Sequence, residues 1–155
     1  MIVETKAYGQ FSSTLTQRPV SKEPIKVVLD TQQSMSGNDV SIDFVNDGIT
    51  INKTGQYLVI AGSQISKVGG SKPRWIDFWL RINDKDIPNS NVRATIREPQ
   101  ITDVLVTQTV TQLNRGDRLN IMMAVEAPDE GVGIEAIKPK DEPLIPSLIL
   151  TILQL

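Results

Sequence analysis

The last nine residues of the chain read Ser147-Leu-Ile-Leu-Thr-Ile-Leu-Gln-Leu155. Successive side chains of a β-strand point to opposite faces. The two faces of this segment therefore carry Leu148, Leu150 and Ile152 on one side and Ile149, Leu153 and Leu155 on the other. Because both faces are apolar, neither suits the solvated side of an antiparallel sheet, and the segment is much shorter than the roughly 20 residues of a membrane-spanning helix. We predict a terminal strand with a protein core on one face and a second apolar surface, such as another copy of the chain, on the other.

Two other segments have the same double-faced pattern. Residues 56–65 place Tyr57, Val59, Ala61 and Ile65 opposite Leu58 and Ile60, and residues 104–113 place Val104, Val106 and Val110 opposite Leu105 and Leu113. Apolar residues on both faces are typical of strands that are covered on both sides. The terminal strand is therefore expected to be one part of a wider buried surface.

The rest of the chain is rich in Thr, Val and Ile and is punctuated by Gly and Pro, which is typical of an all-β protein with short strands. We expect further strands at 5–15, 25–29, 40–44, 49–51, 74–83, 91–97 and 118–126, a candidate short strand at 132–137 and a polar loop at 31–39. About ten strands in 155 residues predict a single β-sandwich or barrel domain spanning residues 1–155.

The composition argues against several classes of chemistry. The chain has no Cys and no His, which removes disulfides, thiolate metal sites and the catalytic triads built on these residues. We expect no catalytic residues, no metal and no cofactor. A net charge of −2 and a pI of about 5.1 give no basic surface for nucleic acid. No signal-peptide pattern begins at Met1, so we expect synthesis in the cytoplasm without membrane insertion.

Four short motifs, in this order, resemble those of the complement globular-head and tumour necrosis factor superfamily. Asp47-Gly-Ile-Thr-Ile51 precedes a Gly-x-Tyr turn in Lys53-Thr-Gly-Gln-Tyr57. Phe78-Trp-Leu-Arg-Ile-Asn-Asp84 is similar to the family's apolar strand and hairpin, and Leu113-Asn-Arg-Gly-Asp-Arg-Leu119 matches its Gly-Asp turn. The apolar C-terminal strand also lies where the family has one. The chain resembles a member of bacterial or phage type.

The resemblance implies a ten-stranded jelly-roll β-sandwich that assembles as a homotrimer, with one sheet facing the threefold axis. The implied trimer-interface residues are Tyr57, Val59, Leu105, Leu148, Leu150 and Ile152. The family's Phe-x-Gly before the last strand is replaced by Pro143-Leu-Ile-Pro146, and no collagen-like stalk precedes the domain. Secretion and a complement role are therefore not implied.

One face of the predicted strand 74–83 combines aromatic and charged side chains, namely Trp75, Asp77, Trp79 and Arg81. Exposed aromatic residues next to charges can anchor a carbohydrate or a protein. The alternative is that the two rings cover a neighbouring strand or a loop, and the sequence favours this alternative slightly.

Two further patterns have simpler structural explanations. Arg115-Gly-Asp117 spells an integrin-recognition tripeptide, but it coincides with the family's Gly-Asp turn, in which Asp117 would hold backbone donors. Acidic pairs at Asp84/Asp86, Asp129/Glu130 and Asp141/Glu142 could bind calcium. They lack EF-hand spacing, so we interpret them as solvated turn residues.

These observations favour a non-enzymatic homotrimeric module with a structural or adhesive role on a particle surface. Among particles we favour a phage virion, as capsid decoration or fibre head, over a bacterial spore surface. A particle surface protein would then be its attachment partner. The alternative is a lectin-like head that binds a host-surface glycan or receptor, and a small carboxylate-based hydrolase is the third hypothesis.

Overall fold

The computed structural model describes residues 4–155, which form thirteen β-strands, one short 3₁₀ turn at Pro128–Glu130 and no α-helix. The strands of the first half are β1 (Tyr8–Ser13), β2 (Ile25–Lys26), β3 (Thr31–Met35), β4 (Val40–Asp43), β5 (Gly48–Ile51), β6 (Gly55–Ser66) and β7 (Arg74–Ile82). Those of the second half are β8 (Lys85–Asp86), β9 (Val92–Ile96), β10 (Asp103–Leu113), β11 (Arg118–Val125), β12 (Gly133–Ile134) and β13 (Leu148–Gln154).

The strands form two antiparallel sheets. The first, here called the C-terminal sheet, has the order β10-β6-β13-β1-β3, with β12 beside β6. The second, here called the opposite sheet, has the order β4-β5-β11-β7-β8, with β2 beside β11 and β9 beside β7. The C-terminal strand lies in the middle of its sheet. The three segments predicted to be apolar on both faces are β10, β6 and β13, which are direct neighbours.

The hydrophobic core lies between the two sheets. The C-terminal sheet contributes alternate side chains of β6 and β13, and the opposite sheet contributes alternate side chains of β7 and β11. The fully buried ones include Tyr57, Val59, Leu148, Leu150, Ile152, Ile76, Leu80 and Leu119. Removal of this apolar area from water is the main driving force for the sandwich.

The burial pattern corrects the predicted trimer interface. Tyr57, Val59, Leu148, Leu150 and Ile152 have no exposed area, and Leu105 is partly buried against the same core. A side chain that is fully covered within one chain has no surface left to bury against a second. These residues therefore form the core, and the outward face of the same strands carries the other alternating set, which includes Leu58 and Leu153.

Some elements differ from their predicted extent. The sequence predicts a polar loop at residues 31–39, but Thr31–Met35 forms the edge strand β3 beside β1. Its side chains are largely exposed on both faces, so the sequence has no apolar alternation to reveal it. The predicted strands at 25–29 and 132–137 shrink to the two-residue strands β2 and β12. The described residues, 4–155, contain thirteen strands, where the resemblance implies ten.

Candidate functional site

The outward face of the C-terminal sheet carries an apolar row that crosses four strands. Strand register places Val110 of β10 opposite Leu58 of β6, Leu58 opposite Leu153 of β13, and Leu153 opposite Tyr8 of β1. Tyr8, Leu153 and Val110 are 41%, 40% and 58% exposed, respectively. Directly opposite residues in antiparallel strands lie within side-chain contact. We call these four residues the apolar row.

Other apolar side chains extend this surface on both sides of the row. They are Ile60 of β6, Val104 and Val106 of β10, and Ile149 and Leu155 at the C-terminus. The remaining outward residues of β1, β6, β10 and β13 are Gln, Ser, Thr and Gly, with no charged residue among them. Depletion of charge is typical of the core of a protein–protein interface.

Strand β10 forms one edge of this sheet, because β6 is its only strand partner within residues 4–155. Its eleven residues contain one acid at the start, no Lys, no Arg and no Pro. Natural proteins commonly protect a long edge strand with charges, proline or a covering element. An edge of this kind next to an apolar face is typical of a surface that can bind another polypeptide.

The four residues of the predicted binding surface lie at alternate positions of β7 and so share one face of the strand, but their polar groups are paired within the chain. The Arg93 guanidinium lies 4.2 Å from the centre of the Trp75 ring. The same guanidinium donates two hydrogen bonds to the Asp77 carboxylate, Nε to Oδ1 at 2.7 Å and NH2 to Oδ2 at 2.9 Å. Asp77 is only 8% exposed. Trp75 and Asp77 thus pack against β9, as the alternative interpretation of this face expected.

The other two residues of this face converge on one carboxylate oxygen. Trp79 Nε1 and Arg81 Nε donate hydrogen bonds to Asp86 Oδ1, at 2.7 and 2.8 Å. These bonds, first that from Trp79 and then that from Arg81, lower the pKa of Asp86 below its ordinary value. The structure therefore divides the face into two separate networks instead of a continuous platform.

The Arg115-Gly-Asp117 segment is a turn, as its structural interpretation predicted. Gly116 has a φ of 93°, which favours glycine. Asp117 Oδ2 accepts a hydrogen bond from the Asn114 backbone N–H at 2.7 Å, and Oδ1 accepts one from Asn83 Nδ2 at 2.8 Å. Asp117 therefore joins two neighbouring turns.

Three of the six acids in the acidic pairs, Asp84, Asp86 and Glu130, have a cationic side-chain partner among residues 4–155. Asp84 contacts Lys26 and Arg118, and Glu130 binds Arg74 through two hydrogen bonds of 2.7 and 2.9 Å. Across residues 4–155, no group of three or more acidic side chains is arranged to hold a metal ion. The same residues contain no helix long and apolar enough to cross a membrane.

Comparison with known proteins supports the fold class. No protein-family model and no curated protein matches the sequence. Three crystal structures of murine APRIL, a tumour necrosis factor-family jelly-roll protein, cover 97% of this chain and 100% of their own. Their TM-scores are 0.58, 0.63 and 0.63, at identities of 10%, 10% and 11%. The chain therefore has a tumour necrosis factor-like jelly-roll fold, and the fold class implied by the sequence motifs is confirmed.

Proposed function

We infer that the chain is a non-enzymatic homotrimeric module with a structural or adhesive role, and that the outward face of the C-terminal sheet is its self-association surface. The apolar row of Val110, Leu58, Leu153 and Tyr8 carries this proposal. Contiguous exposed apolar patches are uncommon on soluble monomers and usually mark an interaction site. An uncharged surface of this kind is best covered by a similarly uncharged one, and a second copy of the chain provides it.

Two more observations support self-association over the binding of an unrelated small ligand. The surface is a broad sheet face rather than a pocket, and it continues to the unprotected edge strand β10. Protein–protein interfaces of obligate oligomers bury about 2,000 Å² or more, which requires a surface of this breadth. The number of copies, three, comes from the family that the sequence motifs resemble, and the jelly-roll fold supports that choice.

A trimer of this kind leaves the opposite sheet and the loops free for other contacts. We therefore place its role on the surface of a particle, first a phage virion and second a bacterial spore. Immunogold labelling of virions and spores from the source organism tests this location. Label on neither particle would overturn the placement without affecting the proposal of a trimer.

A pair of matched substitutions tests the self-association surface. Val110→Asp introduces a charge into the apolar row, so we expect sedimentation velocity to show a folded monomer in place of the trimer. Val20→Asp is the control, because Val20 is 97% exposed in the connection before β2, which belongs to the opposite sheet. The proposal would be wrong if Val110→Asp sedimented like the unmodified chain.

A further inference from the structure

A shallow hollow lies beside Trp79, where the β7 face meets the segment after β8. Its volume is about 320 Å³, and it is lined by Trp79, Asp86, Ile87, Pro88, Asn89 and Asn91. Ligand sites for small molecules have volumes of about 300–1,000 Å³ and combine apolar walls with a few polar groups. The hollow fits a ligand with the size of a single ring.

The segment that forms one wall of the hollow is held by Ser90. This side chain is buried, and its Oγ accepts a hydrogen bond from the Leu80 N–H at 3.0 Å while donating one to the Ile87 carbonyl at 2.8 Å. Thr107 Oγ1 donates to the Ser90 carbonyl oxygen at 2.6 Å. The wall is therefore fixed before any ligand binds, which lowers the entropic cost of binding.

The two residues on either side of Ser90 present free amide groups. Asn89 and Asn91 are exposed, and neither side chain has a hydrogen-bond partner within the part of the chain that the structure describes. The backbone of Asn89 has a φ of 63°, in the left-handed region that Asn tolerates better than most residues. Each amide can donate and accept hydrogen bonds.

Asp86 adds an acceptor to the same hollow. Its Oδ1 receives the bonds from Trp79 and Arg81, whereas Oδ2 has no partner among residues 4–155. The Asp86 side chain is 61% exposed. One carboxylate oxygen therefore fixes the indole ring, and the other is free to accept from a ligand hydroxyl.

Only one of the two Trp rings on β7 is available to a ligand in this way. Arg93 covers Trp75, whereas the Trp79 ring is held at its Nε1 edge by Asp86 and borders the hollow. The face of an aromatic ring carries partial negative charge and attracts the partially positive hydrogens of C–H groups. A pyranose has C–H groups on its ring faces and hydroxyl groups at its rim.

We propose that this hollow binds one pyranose ring of a glycan. The sugar ring packs against Trp79, and its hydroxyl groups bind the amides of Asn89 and Asn91 and the free oxygen of Asp86. This site does not depend on the apolar row, because it lies on the other sheet. It also moves the predicted carbohydrate contact from the whole β7 face to one end of it.

Tryptophan fluorescence tests the proposal directly. Trp75→Phe leaves Trp79 as the only tryptophan and alters no residue that lines the hollow. The probes are methyl pyranosides of glucose, galactose, mannose and N-acetylglucosamine, followed by an array of immobilised oligosaccharides. We expect a saturable change in emission with at least one pyranoside and binding of the matching oligosaccharides on the array.

Two variants that each remove one side-chain amide test whether the glycan binds in this hollow or elsewhere on the protein. Asn89→Gly suits the positive φ and removes one amide, and Asn91→Ala removes the other. Each is expected to weaken binding at least tenfold with an unchanged melting temperature. No saturable response to any pyranoside and no bound oligosaccharide would overturn the proposal, as would binding that both variants retain in full.

Discussion

Leu153 of β13 lies directly opposite Leu58 of β6, and both side chains point away from the core of the sandwich. Leu150, three positions earlier on the same strand, points inward and is fully buried. One apolar strand thus serves two surfaces, the jelly-roll core and the apolar row. The two faces are expected to respond differently to the same substitution.

Replacement of Leu153 or Leu150 by Asp measures this difference. Leu150→Asp places a carboxylate in the core, where an unpaired charge costs several kcal/mol, so we expect insoluble or unfolded protein. Leu153→Asp is expected to be soluble and folded by circular dichroism, but monomeric. If Leu153→Asp were insoluble and Leu150→Asp behaved like the unmodified chain, the assignment of the two faces would be reversed.

Ser90 is expected to stabilise the fold through the segment after β8. Ser90→Ala leaves the buried Leu80 N–H without its acceptor, which costs about 1–3 kcal/mol. Urea unfolding followed by fluorescence measures the loss. Ser71→Ala is the matched control, because Ser71 is exposed and is expected to change the free energy of unfolding by less than about 0.5 kcal/mol. Equal effects of the two substitutions would refute the anchoring role.

The contribution of the Arg115-Gly-Asp117 turn to folding stability is expected to come from the Asp117 side chain and not from the Arg115 side chain. Asp117→Ala removes acceptors from the Asn114 N–H and the Asn83 amide, at a cost of about 1–2 kcal/mol. Arg115→Ala keeps the backbone N–H that binds Thr54 and is expected to be neutral. Chemical denaturation of both variants measures the change in the free energy of unfolding. A larger loss for Arg115→Ala would contradict the structural explanation of the tripeptide.

The Asp43 carboxylate, in the hairpin between β4 and β5, is expected to contribute to the loss of folding stability at low pH. The Asn46 side-chain amide, at 2.7 Å, and then the Asn46 and Val45 backbone N–H groups lower the pKa of Asp43. Because the folded pKa lies below the unfolded one, this stabilisation is complete above the unfolded pKa of about 4 and is lost as the pH falls through the folded value.

The variant Asp43→Asn is therefore expected to lose less stability between pH 7 and pH 3 than the unmodified chain does. Urea midpoints at the two pH values measure the difference. The control is Glu23→Gln, because Glu23 is exposed and its carboxylate accepts no hydrogen bond from residues 4–155. An Asp43→Asn profile that coincides with that of the unmodified chain would show that this carboxylate contributes nothing.

The sequence predicts strands β6, β10 and β13 of the C-terminal sheet well, because the pattern of apolar side chains along one strand is a local property. Residues 56–65, 104–113 and 147–155 are apolar on both faces whatever their neighbours are, and they do lie side by side. Which face of a strand turns toward the core is not a local property, since it depends on how the opposite sheet packs against the C-terminal sheet. The sequence and its family resemblance therefore imply that Leu150 lies at the interface, whereas in the structure Leu150 is buried in the core and Leu153, on the other face of the strand, is 40% exposed.

The sequence does not predict the polar contacts between separate strands and turns, for a related reason. The pairing of Asp77 with Arg93 depends on the register between β7 and β9, which neither strand specifies alone. The Ser90 anchor joins positions 80, 87 and 107 across a turn with no recognised motif. The sequence does not reveal Tyr8 as part of the apolar row, because the first strand is mostly polar.

The mass of the unmodified chain in solution tests the central claim most directly. Multi-angle light scattering after size exclusion, from high to low micromolar concentration, is expected to give three times the protomer mass of 17.1 kDa at every concentration. A single protomer mass throughout this range would contradict self-association through the outward face of the C-terminal sheet.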